Sequence, residues 1–329
     1  MANQIYLDRM GGADAQPHPT IYGINLLVLL KGCRIYRIMY SALFGKNMDS
    51  EPQWEWEIKP EQKWYQLHLG EVWEYRDLLI TFFRRELLSG YNQTVIGISW
   101  IVLQPILTTL FYFLVFSRIV KVPTDHTPAI LFFMSGSIIW SFFSDCLSGA
   151  MYSFLHNAHI YNKVYFPRLV VPLSMLLNHS LRFGIQFILF LIVYFVYAIF
   201  YMHIMPSPAV IILPLLIIQV AAFALGAGLI LSVYVARYRD VEHITTFMLR
   251  LFMFITPVVY PSSIVPEKFR LLFWLNPLTP VIESFRAVFF NNTPLHIGYI
   301  LINTITVFIV LAIGVILFKR KEIKVMDTI

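Results

Sequence analysis

The sequence predicts an all-α polytopic membrane protein. It has six transmembrane helices, an amphipathic interfacial helix before the first and two short re-entrant helices before the last. Three observations carry that expectation. Hydrophobic residues make up 58% of the 329 and charged residues only 13%, against roughly 45–50% and about 25% in an average soluble domain, so the chain cannot cover a water-facing surface. The charge-free run from Phe183 to Ala236 would extend about 80 Å as helix, more than twice a hydrocarbon core of about 30 Å, and must hold two crossings. Short Lys/Arg clusters sit beside apolar stretches, with no basic run interleaved with aromatics outside membrane-adjacent segments. The net charge of +6 therefore points to membrane topology and anionic lipid, and away from nucleic acid.

At the amino-terminal end, Ile21 to Leu30 is apolar but too short to cross, and its charges (Lys31, Arg34, Arg37) follow it, the reverse of a secretory signal. Residues 1–47 therefore read as an extension, either a basic interfacial helix or sequence upstream of a true start at Met48. Residues 48–94 form a cytosolic and interfacial segment. Within 71–90, Trp73, Leu79, Phe82, Phe83 and Leu87 separate at roughly helical spacing from Glu74, Arg76, Asp77, Arg84, Arg85 and Glu86. Trp54, Trp56, Trp64 and Trp73, four of the seven tryptophans, favour the headgroup zone.

The transmembrane domain, 95–318, opens with a span at about 95–117 inside the charge-free stretch Leu87 to Ser117. A second follows at about 129–152, interrupted only by Asp145. The long apolar run breaks at Pro206 and Pro208, which a helix interior does not tolerate, and gives spans at about 170–202 and 209–234. A fifth, at about 243–260, contains Arg250, and a sixth at about 296–318 ends in the basic tail 319–329. Between the last two, Pro261 to Pro294 is too polar and too broken by Pro266, Pro277 and Pro280 to cross. Its apolar pieces, Phe269 to Leu275 and Val281 to Phe290, read as re-entrant helices, which survive only when buried in protein or lining a wet cavity. An amphipathic loop on the outer leaflet is the alternative. With both termini cytoplasmic, the inner side holds Arg84, Arg85, Lys163, Arg168, Arg237, Arg239 and the Lys319 to Lys324 cluster; the outer side keeps Arg118, Lys121, Lys268, Arg270 and Arg286.

The familiar catalytic signatures are missing. No G-x-x-x-x-G-K-[ST] occurs, so the chain has no P-loop, and neither HExxH nor GxSxG is present. Gly226 and Gly228 lie inside a span, where close helix packing accounts for them. Cys33 and Cys146 form no metal or disulfide framework, and His156 with His159 lack an acidic or thiol partner. Asp145, Arg182 and Arg250 are the ionisable residues singled out in the spans, with Glu283 in the re-entrant region. They are functional candidates by default, with an ion pair or snorkelling side chain as the structural alternative for Asp145 and Arg182. Trp140, Phe142 and Phe143 fall along the second span and could line a conduit, since aromatic faces stack on sugar rings; packing explains any one of them equally.

Particular strings add to this reading. Tyr75-Arg76-Asp77-Leu78-Leu79 precedes Tyr91-x-Gln93-Thr94-x-x-Gly97 and Leu103-Gln104-Pro105. Asn157-Ala158-x-Ile160 leads into Lys163-Val164-Tyr165-Phe166-Pro167-Arg168 and Val171-Pro172-Leu173-Ser174. Arg237-Tyr238-Arg239-Asp240, Thr256-Pro257-Val258-Val259-Tyr260-Pro261, Asn276-Pro277-Leu278 and Phe285-Arg286-Ala287 complete the set. In this order, over about residues 70–320, the chain resembles the membrane (permease) subunit of bacterial ABC exporters for O-antigen, capsular polysaccharide and teichoic acid.

The resemblance implies a homodimer in the bacterial inner membrane that recruits two copies of a separate cytosolic ATPase. ATP and Mg would be held there, and this chain would carry no cofactor. It implies a cytosolic coupling helix between spans 2 and 3 that meets the ATPase through Ser153, Phe154, Leu155, His156, Asn157, Ala158, His159, Ile160 and Tyr161. It makes the two re-entrant pieces gate helices, with Asn276, Pro277 and Glu283 beside Trp140, Phe142, Phe143 and Arg250 as channel and gate candidates. A lipid-linked polysaccharide would present its pyrophosphate to Arg84, Arg85 and Arg168, since guanidinium pairs well with phosphate oxygens. Orienting the spans is the other role for those arginines. The rival functions are a proton-coupled carrier or flippase of lipid-linked glycan and a membrane-embedded glycosyl- or acyltransferase. The first wants internal repeats and clustered intramembrane acids, the second a catalytic carboxylate or histidine near an interface.

Overall fold

The computed structural model describes residues 69–89, 97–125, 127–161, 166–202, 206–291 and 294–326. The expectations for residues 1–47, for Trp54, Trp56 and Trp64 and for Lys163 to Tyr165 lie outside these residues, as do the side chains of Ala158, His159 and Ile160. Among the described residues the structure is helical, without strands.

In chain order the helices are α1 (Leu69–Glu74), α2 (Arg76–Ser89), α3 (Trp100–Tyr112, continued as a π-helix over Phe113–Ile119), α4 (Ala129–Met151), α5 (Ser153–Tyr161) and α6 (Val170–Tyr197). They continue with α7 (Leu213–Arg237), α8 (Asp240–Ile255), α9 (Glu267–Leu275), α10 (Leu278–Phe290) and α11 (Ile297–Met326). Five stretches are long and apolar enough to cross a membrane: Trp100–Ile119, Ala129–Met151, Val170–Phe200, Pro208–Arg237 and Ile297–Glu322. The most apolar part of α4 is 78% buried, against 22% for α6 and for α11; α3, α6 and α7 pack on α4, and α11 packs on α7.

Small residues set how closely those spans approach. Gly228 on α7 faces α4, where an added Cβ would stand 2.6 Å from the Cβ of Ala150. Gly226 on α7 faces Gly314 on α11 so closely that a Cβ on Gly314 would strike the Gly226 carbonyl oxygen. The seam is completed by amide groups. Gln219 Nε2 donates to Thr304 Oγ1 at 2.7 Å, and Asn303 Nδ2 donates to Gln219 Oε1 at 3.1 Å. Gly314→Val is therefore expected to push α7 and α11 apart and destabilise the protein by about 1–3 kcal/mol. Thermal unfolding in detergent measures this, and an unchanged midpoint would mean that the seam does not exist.

The stretch expected as a fifth span, 243–260, differs from the helix found. α8 begins at Asp240 and stops at Ile255, 16 residues in all, about 24 Å of helix against a core of about 30 Å. The stop is local chemistry. Pro257 has no N–H to donate and disfavours helical geometry in the residue before it, and Thr256 accordingly adopts extended angles (φ −92°, ψ 143°). Thr256 to Val259 then run as a buried turn. One side of α8 is apolar and exposed, through Ile244, Phe247, Met248, Leu251 and Phe254.

Candidate functional site

The predicted functional residues fall at the two ends of the bundle and, for Trp140, Phe142, Phe143 and Arg250, between them. At the end of α4, Tyr152 breaks the helix (φ −85°, ψ 1°) and the chain restarts as α5. Buried positions Ser153, Phe154, Asn157 and Tyr161 recur at helical spacing and turn one face of α5 inward. Phe154 stacks on Phe318 near the end of α11 with ring centroids 4.5 Å apart, and Tyr161 stacks on Phe166 at 5.5 Å. Phe82 of α2 meets the same Phe166 ring at 5.7 Å. One aromatic cluster thus ties α2, α5 and α11 together. Burial pushes the Tyr161 phenol up, keeping it a neutral donor to the Arg168 carbonyl oxygen at 3.5 Å.

The three arginines proposed for a pyrophosphate have separate surroundings. Arg85 Nη2 donates to Asn157 Oδ1 at 2.8 Å, and its guanidinium lies 5.0 Å from the Phe82 ring. Asn157 Nδ2 in turn donates to the Ser153 carbonyl at 3.3 Å, so Arg85 is fastened to α5. Arg168 Nε pairs with Glu322 Oε1 at 3.3 Å, and its Nη1 donates to the Glu322 carbonyl oxygen. Arg84 is exposed and makes no hydrogen bond or ion pair with a described residue. On the outward side of α5, Leu155 is half-buried and His156 exposed. The His156 ring stacks on Tyr152 at 5.0 Å, and Tyr152 Oη donates to Glu242 Oε1 of α8 at 3.2 Å.

At the opposite end, all thirteen residues of α10 are buried. Asn276 begins the helix, its Oδ1 accepting from Leu278 N at 3.0 Å while its Nδ2 donates to Thr256 Oγ1 at 2.9 Å. Pro277 follows at the cap with φ −61°, an angle its ring already holds. Arg286 is the electrostatic centre of this end. Its Nη2 donates to the carbonyls of Val258 (3.0 Å) and Phe132 (3.3 Å), its Nε donates to Ser135 Oγ (3.3 Å), and its Nη1 pairs with Glu283 Oε1 (3.4 Å). The guanidinium also lies 3.7 Å from the Phe132 ring centroid. Gly136 makes the approach possible, because a Cβ there would stand 2.5 Å from the Val258 carbonyl oxygen and 2.9 Å from Arg286 Nη2. The sequence marks Arg286 as an outer charge and as part of the Phe285-Arg286-Ala287 string, not as the centre of a buried clasp. The available signal was Glu283 and Arg286 at i, i+3 in an otherwise apolar segment, the spacing of an intrahelical pair.

Between the ends, the aromatic candidates of α4 point into the core. Phe142 packs on Phe183 at 4.5 Å, Phe143 stacks on Phe223 at 5.5 Å, and Trp140 lies 6.0 Å from Phe252 of α8. Arg250 is exposed on α8. Among the described residues no three His, Cys, Asp or Glu side chains converge on a point where a metal could sit. What the arrangement offers is mechanical: a cross-braced α2–α5–α11 junction at one end and a buried charge clasp at the other.

The profile described as ABC-2 type transporter matches residues 77–290. That interval starts in α2 and ends with α10, so it takes in α5 and the Arg286 clasp but stops short of α11. The chain is 30% identical over 245 residues to the O-antigen export system permease protein RfbA of Klebsiella pneumoniae, covering 74% of this chain and 92% of that protein. It is also 30% identical over 224 residues to the protein of the same name from Myxococcus xanthus, covering 68% of this chain and 84% of that one.

Proposed function

From the premise that this chain belongs to the ABC-2 type transporter family, as a multi-pass permease subunit of an ABC exporter, we propose that it moves lipid-linked polysaccharide of the O-antigen or capsular type across the bacterial inner membrane. The observation that carries the substrate class is the 30% identity to O-antigen export permeases, which extends over 92% of the Klebsiella protein's length. The chain itself has no P-loop, so the energy source is a separate ATPase that holds ATP and magnesium. Two copies of each make the complex. Both termini face the cytoplasm, which puts α2 and α5 on the inner side and α9 and α10 on the outer.

In this reading α5 receives the ATPase on its His156 side while its inward face passes displacement to α2 through Asn157 and to α11 through Phe154. α8, with its exposed apolar side and Arg250, completes the membrane crossing as a fifth span of six, tilted or extended by the turn that follows. The conduit runs between two protomers, and α9 with α10 closes its outer mouth. Arg84, exposed on α2, meets the lipid diphosphate; Arg85 and Arg168 brace α5 and α11.

Co-expression with the ATPase from the same operon tests this. ATP-dependent appearance of surface polysaccharide should require both genes and should vanish when the ATPase cannot hydrolyse. Export by this chain alone would overturn the reading, as would co-purification with no ATPase.

A further inference from the structure

The neighbouring hydroxyls Ser262 and Ser263 are each held by a carboxylate from a different element. Ser262 Oγ donates to Glu283 Oε2 of α10 at 3.0 Å. Ser263 Oγ lies 3.0 Å from both oxygens of Asp125, in the loop between α3 and α4. These residues open the short 3-10 turn Ser262–Ile264, immediately before α9.

The elements on either side differ sharply in how firmly they are held. α10 is buried throughout and fixed at two points on the 256–259 turn, by Asn276 on Thr256 and by Arg286 on Val258. Both contacts are buried, where water does not compete for the partners. α9 is exposed along most of its length, and Phe273 is its one buried residue. Its apolar residues Phe269, Leu271, Leu272 and Leu275 are all exposed. The Ser262 contact is only partly buried and the Ser263 contact is exposed. Water can replace these two bonds; α9 keeps besides them the stack of Trp274 on Tyr299 of α11 at 4.5 Å and Phe273 beside Tyr260, so their loss frees the start of α9 to swing on its far end.

We propose that Ser262 and Ser263 form a two-point latch, on Glu283 and Asp125, that holds α9 shut against a stationary α10, and that transport releases this latch. The proposal rests on the exporter reading above, which supplies the reason for an outer closure to open. Glu283 suits the task because Arg286 holds its other oxygen and so fixes the acceptor in place. Asp125 is held by its backbone, at φ 44°, in a loop that does not belong to α9. The serines are positioning residues, acting on α9 and never on the glycan.

Spin-label distances in the complete complex without nucleotide test the latch, with Cys33 and Cys146 replaced by alanine. One label pair, Leu271→Cys with Ile297→Cys, reports α9 against the frame; a second, Val120→Cys with Ile297→Cys, reports the frame against itself. Ser262→Ala is expected to raise the ratio of open to closed α9 about tenfold. That factor corresponds to about 1.4 kcal/mol, the low end for one hydrogen bond to a charged group. Ser262→Ala with Ser263→Ala should reach about a hundredfold if the two bonds are independent. Asp125→Asn removes the charge at the second point, in a residue type that accepts a left-handed backbone, but keeps an oxygen that accepts from Ser263, and should shift the ratio the same way by less than Ser263→Ala. The α9 pair should broaden while the frame pair keeps its distribution. An unchanged α9 pair in the double serine variant overturns the latch, and so does equal broadening of the frame pair, which would mean general loosening. The distances are read whether or not glycan moves, so a wild-type complex that does not export sinks the exporter reading alone.

Discussion

Arg286→Met is expected to destabilise the protein by about 3–5 kcal/mol, the range for removing one partner of a buried ion pair. The whole stability of a domain is about 5–15 kcal/mol, so export and accumulation in the membrane should both fall sharply. The size of the effect follows from what the guanidinium touches. Removing it strands the carboxylate of Glu283 and takes a donor from the carbonyls of Val258 and Phe132. Ser135 suffers least, because its hydroxyl also donates to the Phe132 carbonyl at 2.8 Å. Arg286→Lys should recover only part of the loss. An ammonium is a point charge and cannot span acceptors on α4, α10 and the 256–262 turn as the planar fork does.

A second substitution separates charge from attachment. Adding Glu283→Leu to Arg286→Met removes the stranded carboxylate, and replacing both members of a buried pair by apolar groups is often neutral. Thermal stability in detergent should therefore return most of the way in the double variant. The closure proposed for α9 should not return, because the 256–262 segment would still have lost Arg286 at Val258 and Glu283 at Ser262. If the double variant stays as unstable as the single, the carbonyl bonds and not the charge pair carry the energy.

The contrast between these contacts and the long helices shows what a sequence discloses. The crossing helices were legible because a charge-free run is read directly against bilayer thickness, and one charge or proline marks an end. The turn after α8 was harder. Pro257 is visible as a breaker, but that Thr256 to Val259 lie buried against α10 depends on Asn276 and Arg286, which come to that turn from beyond α9. Arg85 and Asn157 are 72 residues apart, and no periodicity joins them. The sequence offers one as a phosphate ligand and the other as an ATPase contact, and their pairing is a property of the fold. Arg286 was hidden by bookkeeping of another kind, since a positive-inside count treats every arginine as a solvated charge. The aromatics of α4 show the same limit. Phe142 and Phe143 carry no mark in the sequence that distinguishes a conduit wall from the core in which they pack.

Asn157→Leu is expected to uncouple ATP hydrolysis from export, lowering glycan exported per ATP by about ten- to a hundredfold, the equivalent of one hydrogen bond to a charged group at about 1.5–3 kcal/mol. Leucine is close in volume, so the aromatic packing of Phe154 and Tyr161 should persist and α5 should still meet its ATPase. What is lost is the tie from α5 to Arg85, the bond through which we propose that displacement of α5 reaches α2. Arg85→Ala should produce the same loss, and combining the two should add nothing further, because both remove the same bond between α2 and α5; the Asn157 bond to the Ser153 carbonyl lies within α5. Additive losses would break that link and return Arg85 to the lipid diphosphate. Arg84→Ala is the internal control. It lies on the same helix without a tie to α5, so it should raise the substrate level needed for half-maximal export while leaving glycan per ATP unchanged. A fall in glycan per ATP for Arg84→Ala equal to that for Arg85→Ala would mean that α2 acts through its charge alone. The brace between α2 and α5 would then have no part in transmission.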